Sequence, residues 1–288
     1  MSRIAYVNGR YVPHGEAAVH IEDRGYQFAD GVYEVVTVVK GRLVDEDPHL
    51  DRLWRSLGEL RIDVPMSRAS MKAVTREIIH RNRLKTGLVY MQVTRGVARR
   101  DHPFPKPGTP PAMVMTVKHM RLPGRAKIEE GVKVISIKDI RWERCDIKTV
   151  GLLPNILGKQ QAREAGATEA WQVDEDGMVT EGTSTNAWII TKDGELVTRP
   201  ATNDILNGIT RLRILKIADE HGVKFVERAF SLEEALQARE AFISSATSFV
   251  TPVTQINDTV IGNGRAGTVS LGLRDWYDEF MAGLKESA

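Results

Sequence analysis

Residues 144–154 read RCDIKTVGLLP, and residues 180–188 read TEGTSTNAW. The first stretch places Lys148 among apolar neighbours, which favour the neutral amine that forms a Schiff base with an aldehyde. The second places one acidic residue, Glu181, at the start of a loop of glycine, serine, threonine and asparagine. A carboxylate in that setting can pair with a protonated ring nitrogen. Together the two stretches predict an enzyme that holds an aldehyde cofactor through a lysine.

The polar loop after Glu181 is predicted to hold a phosphate or a hydroxyl group of that cofactor. Each feature also has an ordinary structural interpretation. Lys148 could end a strand and point into solvent, as most lysines do. Glu181 could open a solvated turn between two strands, because the loop leads into the β-rich run 186–190. The prediction therefore depends on what else accompanies the pair.

Composition limits the class of partner. The chain has 288 residues, with 40 basic and 38 acidic residues and a net charge of +2. The two signs are interspersed, so electrostatics indicates neither nucleic acid nor a membrane surface, and we expect a small-molecule substrate. The one cysteine, Cys145, excludes an intramolecular disulfide. The N-terminus lacks the apolar run of a signal peptide, and no run of about eighteen apolar residues predicts a membrane span. We expect a cytoplasmic protein.

The pattern of turns and apolar residues predicts an α+β fold. Three turn pairs flanked by β-rich runs predict antiparallel hairpins, and they are Asn8-Gly9, Lys40-Gly41 and Asp193-Gly194. Helical spacing recurs in three sets, which are Leu50, Leu53, Leu57 and Leu60; Met71, Val74, Ile78 and Ile79 behind an N-cap at Ser67; and Ile209, Leu212, Leu215 and Ile217. No regular βαβ alternation indicates a Rossmann sheet or a TIM barrel.

A Pro-Gly turn after a predicted strand divides the chain. We predict an N-terminal domain over 1–119, a linker over 120–125 and a C-terminal domain over 126–288. The proline-rich stretch 102–111 is predicted to be an irregular surface loop.

A phosphate site is predicted where Gly208 leads into a helix. The first N–H groups of that helix, those of Ile209 and Thr210, are candidate donors to an anion. The small-residue turn 244–248 could close the site, and Arg52 could contribute charge. Ordinary helix capping, a polar turn and a solvated arginine are the alternatives.

The stretch 94–102 reads TRGVARRDH and could bind a carboxylate. Charge-assisted hydrogen bonds from arginine and histidine contribute about 1.5 to 3 kcal/mol each. Two of them would favour a substrate with a carboxylate by roughly a hundredfold, although a solvated basic loop is the alternative. Cys145 has no triad-like surroundings, and the histidines lack metal-ligand spacing, so neither a cysteine nucleophile nor a metal site is predicted.

The chain resembles the fold type IV pyridoxal-phosphate aminotransferases, and among them most closely the D-amino-acid aminotransferases. The resemblance covers nearly the whole chain and is strongest over 22–35, 90–96, 139–153 and 180–186. Several long motifs in the same order are more specific than any one of them. The resemblance implies a small α/β N-terminal domain and a larger C-terminal domain with a mixed, barrel-like sheet that binds pyridoxal 5'-phosphate.

The resemblance also implies roles for individual residues. Lys148 would form the aldimine with the cofactor and move the substrate Cα proton, and Glu181 would pair with the pyridine nitrogen. The remaining cofactor contacts would come from Arg52, Leu206, Ile209, Thr210, Ser245 and Ala246. Tyr33, Arg100 and His102 would bind the substrate carboxylate, with the loop that carries the last two supplied by the neighbouring subunit of a homodimer.

The resemblance favours ping-pong transfer from a D-amino acid, D-alanine first, to a 2-oxo acid, 2-oxoglutarate first. Several residues depart from the family pattern: Ala246 replaces a threonine at the phosphate site, Asn207 replaces a lysine, and Arg99 and Asp101 flank Arg100. Alternatives within the fold are R-selective amine transaminases, branched-chain L-amino-acid aminotransferases and aminodeoxychorismate lyase. A non-catalytic binding protein is disfavoured because Lys148 and Glu181 are both present.

Overall fold

The computed structural model describes residues 3–284 and divides into two compact units. Unit 1 holds the chain up to Leu122 and the segment Ile147–Gly151, and unit 2 holds Pro123–Asp146 and Leu152–Gly283. The limits predicted from the sequence, 1–119 and 126–288, stay a prediction. They differ from the two units chiefly in the placement of 147–151, because a single cut cannot represent a segment that returns to the other unit.

Unit 1 is a six-stranded antiparallel sheet with two long helices packed on one face. The strand order is β2-β1-β6-β5-β3-β4. The elements are β1 (Ile4–Val7), β2 (Arg10–Pro13), α1 (Arg24–Phe28), β3 (Gly31–Val39), β4 (Arg42–Leu43), α2 (Glu46–Glu59), α3 (Arg68–Arg81), β5 (Gly87–Thr94) and β6 (Ala112–His119), with a 3₁₀ turn at His14–Glu16.

The core of unit 1 follows from the spacing of its apolar residues. Leu53 and Leu57 of α2 and Ile78 of α3 are completely buried against alternate residues of β3, β5 and β6. The predicted N-cap of α3 is confirmed, since the Ser67 hydroxyl accepts a hydrogen bond from the N–H of Ser70 at 3.2 Å. Alternation along β3 leaves the other face of the sheet to Tyr33, Val35 and Thr37.

Unit 2 is a nine-stranded mixed sheet that curls until its edge strand β9 lies beside β10. The path is β12-β11-β10-β13-β14-β7-β8-β9, and β15 pairs with β14. The elements are α4 (Arg125–Glu130), β7 (Val132–Lys138), α5 (Leu153–Glu164), β8 (Glu169–Val173), β9 (Val179–Gly182), β10 (Asn186–Ile190), β11 (Leu196–Thr198), α6 (Ile209–Glu220), β12 (Phe225–Glu227), α7 (Leu232–Leu236), β13 (Glu240–Ser245), β14 (Phe249–Ile256), β15 (Thr259–Val260) and α8 (Thr268–Ala282).

The α+β class is confirmed, as are the three hairpins and the three helices. Two parallel crossovers, β7–α5–β8 and β11–α6–β12, were not anticipated by the sequence pattern, because a long irregular segment precedes the helix in each. The proline-rich stretch 102–111 forms no helix or strand, as predicted. Within residues 3–284, no helix combines the length and apolar character needed to cross a membrane.

Candidate active site

Lys148 lies beside Tyr33 in unit 1. The backbone N–H of Tyr33 donates to the Lys148 carbonyl at 3.0 Å, and that of Val150 donates to Gly31 at 3.0 Å. This short pairing makes the segment Ile147–Gly151 a neighbour of the start of β3. The Lys148 Nζ then lies 3.2 Å from the Tyr33 hydroxyl and 4.3 Å from the centre of its ring. The phenol therefore holds the amine on the sheet face opposite α2 and α3.

A row of polar groups continues from Tyr33 across that face. The ring of Tyr33 stacks on Tyr90 with centroids 5.7 Å apart. Burial, helped by the neighbouring Tyr33, raises the pKa of Tyr90 to about 12. Tyr90 therefore keeps its proton at neutral pH and donates it to the amide oxygen of Gln92 at 2.6 Å.

The predicted carboxylate-binding residues fall into two groups within unit 1. The guanidinium of Arg100 lies 5.0 Å from the ring centre of Phe28, and the His102 ring lies 5.6 Å from it. Tyr33 instead contacts Lys148 and Tyr90. Among residues 3–284 no hydrogen bond or ring contact joins Tyr33 to the other two, so their joint role stays a prediction.

Arg52 is engaged by a buried carboxylate. Its Nε and Nη2 donate to the two oxygens of Glu34 at 2.7 and 2.8 Å, and His49 Nδ1 lies 2.7 Å from Glu34. Burial raises the pKa of Glu34, but the charge and hydrogen bonds of Arg52 and the hydrogen bond of His49 outweigh it and lower that pKa to about 2.

His49 donates a hydrogen bond to Glu34 as a neutral ring and contributes no positive charge. Burial lowers the pKa of His49, and its hydrogen bond to Glu34 offsets that effect only in part. Treating the 2.7 Å contact as an ion pair would require a charged imidazole, so we assign the positive charge to Arg52 and a neutral ring to His49. Glu34 therefore fixes the guanidinium of Arg52 on α2, and the contact of Arg52 with phosphate stays a prediction.

Glu181 is buried at the end of β9 in unit 2, where side-chain and backbone donors meet it. Asn186 donates to it at 3.0 Å, the backbone N–H of Leu206 lies 3.2 Å from both carboxylate oxygens, and Arg141 pairs with it through Nη1. A carboxylate held by these donors is placed to pair with a protonated ring nitrogen.

Arg141 is a site residue that sequence reasoning missed. Its side chain also donates to Asp139 at 2.6 and 2.9 Å and to the Thr180 hydroxyl at 3.1 Å. Burial lowers the pKa of Arg141, but the hydrogen bond to Asp139 and the charges of Glu181 and Asp139 outweigh it and raise that pKa. Asp139 and Arg141 are separated by one residue, and this spacing could have indicated an ion pair between them. Nothing in the sequence connects that pair with Glu181.

The polar loop after Glu181 is organised around Glu169. The hydroxyls of Ser184 and Thr185 donate to this carboxylate at 2.8 and 3.3 Å, and that of Thr183 also bonds to it. Glu169 on β8 is completely buried and also pairs with Lys159 at 3.2 Å. All three hydroxyls of this loop therefore bond to Glu169, and the prediction that the loop holds a phosphate or a hydroxyl group of the cofactor stays a prediction.

The predicted phosphate donors lie at the start of α6. Ile209 and Thr210 are buried there, and no side chain caps the helix at Gly208. A Cβ on Gly208 would overlap the amide oxygen of Asn186, so only glycine fits. The Ser245 hydroxyl bonds within its own turn, to Ser248 at 2.8 Å, and Ala246 follows it with a methyl group.

Cys145 is not an activated thiol. Burial raises its pKa to about 12, and Arg141 opposes that rise only in part. Its Sγ donates to the Trp142 carbonyl at 3.1 Å. A thiol that is protonated at neutral pH is a poor nucleophile.

Comparison with known proteins decides the family. The model of the family described as amino-transferase class IV matches residues 31–256. The chain belongs to the class IV aminotransferases. This class IV aminotransferase is 43% identical over 263 residues to a D-alanine aminotransferase of Bacillus licheniformis, covering 91% of this chain and 92% of that one. It is 39% identical over 276 residues to a D-alanine aminotransferase of Staphylococcus aureus (strain MSSA476), covering 96% and 97%.

Solved structures show the same fold. The branched-chain amino acid aminotransferase of T.th. with pyridoxamine 5'-phosphate superposes with a TM-score of 0.92 at 25% identity, covering 99% of this chain and 96% of that one. The Escherichia coli branched-chain amino acid aminotransferase gives a TM-score of 0.88 at 23% identity, covering 100% and 97%. At that identity the second likeness concerns the fold alone.

The predicted cofactor, pyridoxal 5'-phosphate, is that of the class IV aminotransferases. The residues of this chain fit it. Unit 1 offers the amine of Lys148, and unit 2 offers the carboxylate of Glu181 and the start of a twelve-residue helix, α6, which has no side-chain cap. Amine, acid and helix N-terminus suit an aldehyde, a ring nitrogen and a phosphate, respectively.

Proposed function

We propose that this class IV aminotransferase transfers the amino group of a D-amino acid to a 2-oxo acid, with D-alanine and 2-oxoglutarate as the first pair to test. The products would be pyruvate and D-glutamate. The observation that carries the proposal is the similarity to D-alanine aminotransferases, at 43% and 39% identity over more than nine-tenths of the chain. The basic loop with Arg100 and His102 supports a substrate that has a carboxylate.

Pyridoxal phosphate, when bound, supplies an aldehyde that takes up the amino group and a ring that accepts an electron pair. The residues of this chain do the rest. Lys148 would remove the proton from the substrate Cα and deliver it to the former aldehyde carbon of the cofactor in the same half-reaction, and it would carry out both transfers in reverse with the 2-oxo acid. The Tyr33 hydroxyl, 3.2 Å from Nζ, orients the amine. Glu181 keeps the proton on the ring nitrogen, and Arg141 holds Glu181 in place through Nη1.

The other cofactor contacts are proposed in the same way. The N–H groups of Ile209 and Thr210 bind the phosphate at the start of α6, with Arg52 as its charge partner. Leu206 packs on the ring, and the turn with Ser245 and Ala246 closes the phosphate site. Because Ala246 has no hydroxyl, its contribution is a backbone N–H only, which weakens the phosphate contact relative to a threonine.

We also propose a homodimer in which the loop with Arg100 and His102 serves the site of the neighbouring subunit. This arrangement accounts for the loop having no hydrogen bond or ring contact with Tyr33 in one chain among residues 3–284. Tyr33, Arg100 and His102 then bind the substrate carboxylate together. We place the enzyme in the cytoplasm, because its only cysteine, Cys145, leaves it independent of an oxidising compartment.

A half-reaction panel tests the proposal. Purified holoenzyme is mixed with D-alanine, L-leucine and R-phenylethylamine in separate experiments, and the loss of the cofactor's visible absorbance is followed. We expect D-alanine to react fastest. A faster reaction with L-leucine would assign the protein to branched-chain amino acids, and a faster reaction with R-phenylethylamine would assign it to amines without a carboxylate. A protein that binds no pyridoxal phosphate and stays colourless would contradict the proposal that it is a pyridoxal-phosphate enzyme.

Replacing Arg100 by alanine is expected to separate amino acids from plain amines. One charge-assisted hydrogen bond of about 1.5 to 3 kcal/mol corresponds to roughly a tenfold to hundredfold lower kcat/KM for D-alanine. R-phenylethylamine lacks the carboxylate, so its kcat/KM should change little. Equal losses for both substrates would show that Arg100 does not bind the carboxylate.

A further inference from the structure

The loop that carries Arg100 and His102 has little support of its own. Residues 97–104, which we call the Arg100 loop, contain no helix or strand, and both Arg100 and His102 are exposed. The Arg100 guanidinium and the His102 ring both lie against the ring of Phe28. A loop of this kind samples many conformations unless its backbone is held. Two charged side chains on it would then meet a substrate carboxylate only part of the time.

Arg24 holds the backbone of this loop. Its Nη1 donates to the Asp101 carbonyl at 2.7 Å, and its Nη2 donates more weakly to the His102 carbonyl at 3.4 Å. The guanidinium carbon also lies 4.8 Å from the ring centre of Phe28, the ring that Arg100 and His102 contact. Arg24 is only 3% exposed. A buried guanidinium with two loop carbonyls as acceptors is a directional contact, because its N–H groups are fixed in one plane.

Asp30 compensates the charge of Arg24 and links it to a second arginine. Arg24 Nε donates to Asp30 at 2.8 Å, and Arg95 donates to the same carboxylate at 2.8 and 3.0 Å. Arg95 lies 3.7 Å from the ring centre of Phe104, at the far end of the loop. Burial raises the pKa of Asp30, but the hydrogen bonds of Arg95 and Arg24 outweigh it and lower that pKa. The carboxylate of Asp30 thus joins the two arginines that contact the Arg100 loop, one at Asp101 and His102 and the other at Phe104.

Gly96 fixes the point where the loop leaves β5. Its φ is +92°, and a Cβ would overlap the carbonyl oxygen of Pro110. The carbonyl of Gly96 accepts the backbone N–H of Arg24 at 2.9 Å. The backbone of Arg24 therefore bonds to the residue just before the Arg100 loop, and its side chain bonds within the loop, after Arg100.

We propose that Arg24 is a positioning residue for substrate-carboxylate recognition, which holds the backbone at Asp101 and His102 so that Arg100 and His102 are presented together on Phe28. The inference rests on the proposed function of the loop as the carboxylate site. It adds a residue that touches neither substrate nor cofactor. It also concerns any α-amino acid, whichever stereochemistry the panel selects.

The test compares Arg24→Gln with the wild-type holoenzyme. The amino acid that reacts fastest in the panel serves as the substrate with a carboxylate, and R-phenylethylamine serves as the substrate without one. We expect KM for the amino acid to rise roughly tenfold to a hundredfold, because small misplacements at a site cost that much. We expect kcat, and the rate with R-phenylethylamine, to change less than about threefold, since Lys148 is untouched.

A second readout does not depend on turnover. Trypsin can cut the chain after Arg99 and Arg100, and cleavage needs a mobile backbone. We expect faster cleavage there in Arg24→Gln than in wild type, measured by mass spectrometry of the fragments. Ile78→Ala, which opens a cavity in the core of unit 1 far along the chain from the loop, controls for lost stability. Ile78→Ala should leave unchanged the ratio of kcat/KM for the amino acid to kcat/KM for R-phenylethylamine, which we call the substrate ratio. It should also leave cleavage at this loop unchanged.

Each outcome separates the inference from the alternatives. Arg24→Lys keeps the charge beside Asp30 but not the planar fork, so full activity in that variant would overturn positioning in favour of charge alone. Unchanged cleavage in Arg24→Gln would show that Arg24 does not hold the loop. Faster cleavage with an unchanged substrate ratio would show that Arg24 holds the loop but has no effect on recognition of the substrate carboxylate. A wild-type enzyme that prefers L-leucine would contradict the proposed D-specificity while leaving this comparison intact.

Discussion

Replacing Lys148 by alanine is expected to abolish measurable transamination, with kcat lower by at least about a thousandfold. The amine is the group that would take and return the Cα proton, and positioned acid–base groups contribute about 10² to 10⁴-fold on their own. No other lysine or histidine among residues 3–284 bonds to Tyr33, which lies 3.2 Å from Nζ. Steady-state assay with the best substrate pair measures the loss.

The control is Lys216→Ala on the exposed side of α6, where a lysine 3.7 Å from Glu220 can be removed at little cost. It should keep wild-type turnover. Borohydride treatment of the wild-type holoenzyme gives an independent readout, since the cofactor should become attached to the peptide that contains Lys148. Attachment at another lysine, or full turnover by Lys148→Ala, would contradict the assignment.

The sequence was most informative where local patterns decide the structure. Turn pairs such as Asn8-Gly9 and the leucine stripe from Leu50 to Leu60 depend on residues close together in the chain, and both predictions are confirmed. Ser67 follows the same logic, because an N-cap is a contact between a residue and one three positions later. The cofactor class also followed from sequence, since Lys148 and Glu181 lie in long recognisable motifs.

Contacts between residues that are far apart in the chain could not be predicted from the sequence. Glu169 looks like one strand residue among many, yet three hydroxyls of the loop 183–185 bond to it. Arg24 meets the carbonyl of Asp101 from 77 positions away. Such carboxylates and guanidinium groups acquire their roles from burial, and burial is a property of the folded chain. The same reason explains why a single cut through the chain does not reproduce the grouping of 147–151 with unit 1, where this segment pairs with the start of β3.

Replacing Glu34 by glutamine is expected to cause the largest loss of stability. Glu34 is fully buried, and it bonds to both Arg52 and His49. Removing one partner of a buried charge pair costs about 3 to 5 kcal/mol, because Arg52 keeps its charge without a counter-charge. Urea denaturation followed by tryptophan fluorescence measures the difference. The matched control is Glu77→Gln, which removes a carboxylate 2.6 Å from Arg81 on the surface and should cost under about 1 kcal/mol.

The same group gives wild-type stability a defined dependence on pH. The folded pKa of Glu34 is about 2, against 4.5 for an ordinary glutamate. Its contribution, about 3 kcal/mol, is therefore complete above pH 4.5 and is lost as the pH falls towards 2. The lowered pKa of His49 acts in the same direction from about pH 6.5 downwards, because the unfolded chain takes up that proton first.

The two variants separate these contributions. In Glu34→Gln the acid-dependent loss between pH 4.5 and 2 should disappear, so the difference from wild type should narrow by about 2 kcal/mol between pH 7 and pH 3. The free energy of unfolding of Glu77→Gln should change with pH in parallel with that of wild type over this range. A constant difference between wild type and Glu34→Gln would mean that Glu34 does not hold the charge of Arg52. Arg52 would then reach a phosphate without the buried anchor that α2 and β3 provide for it.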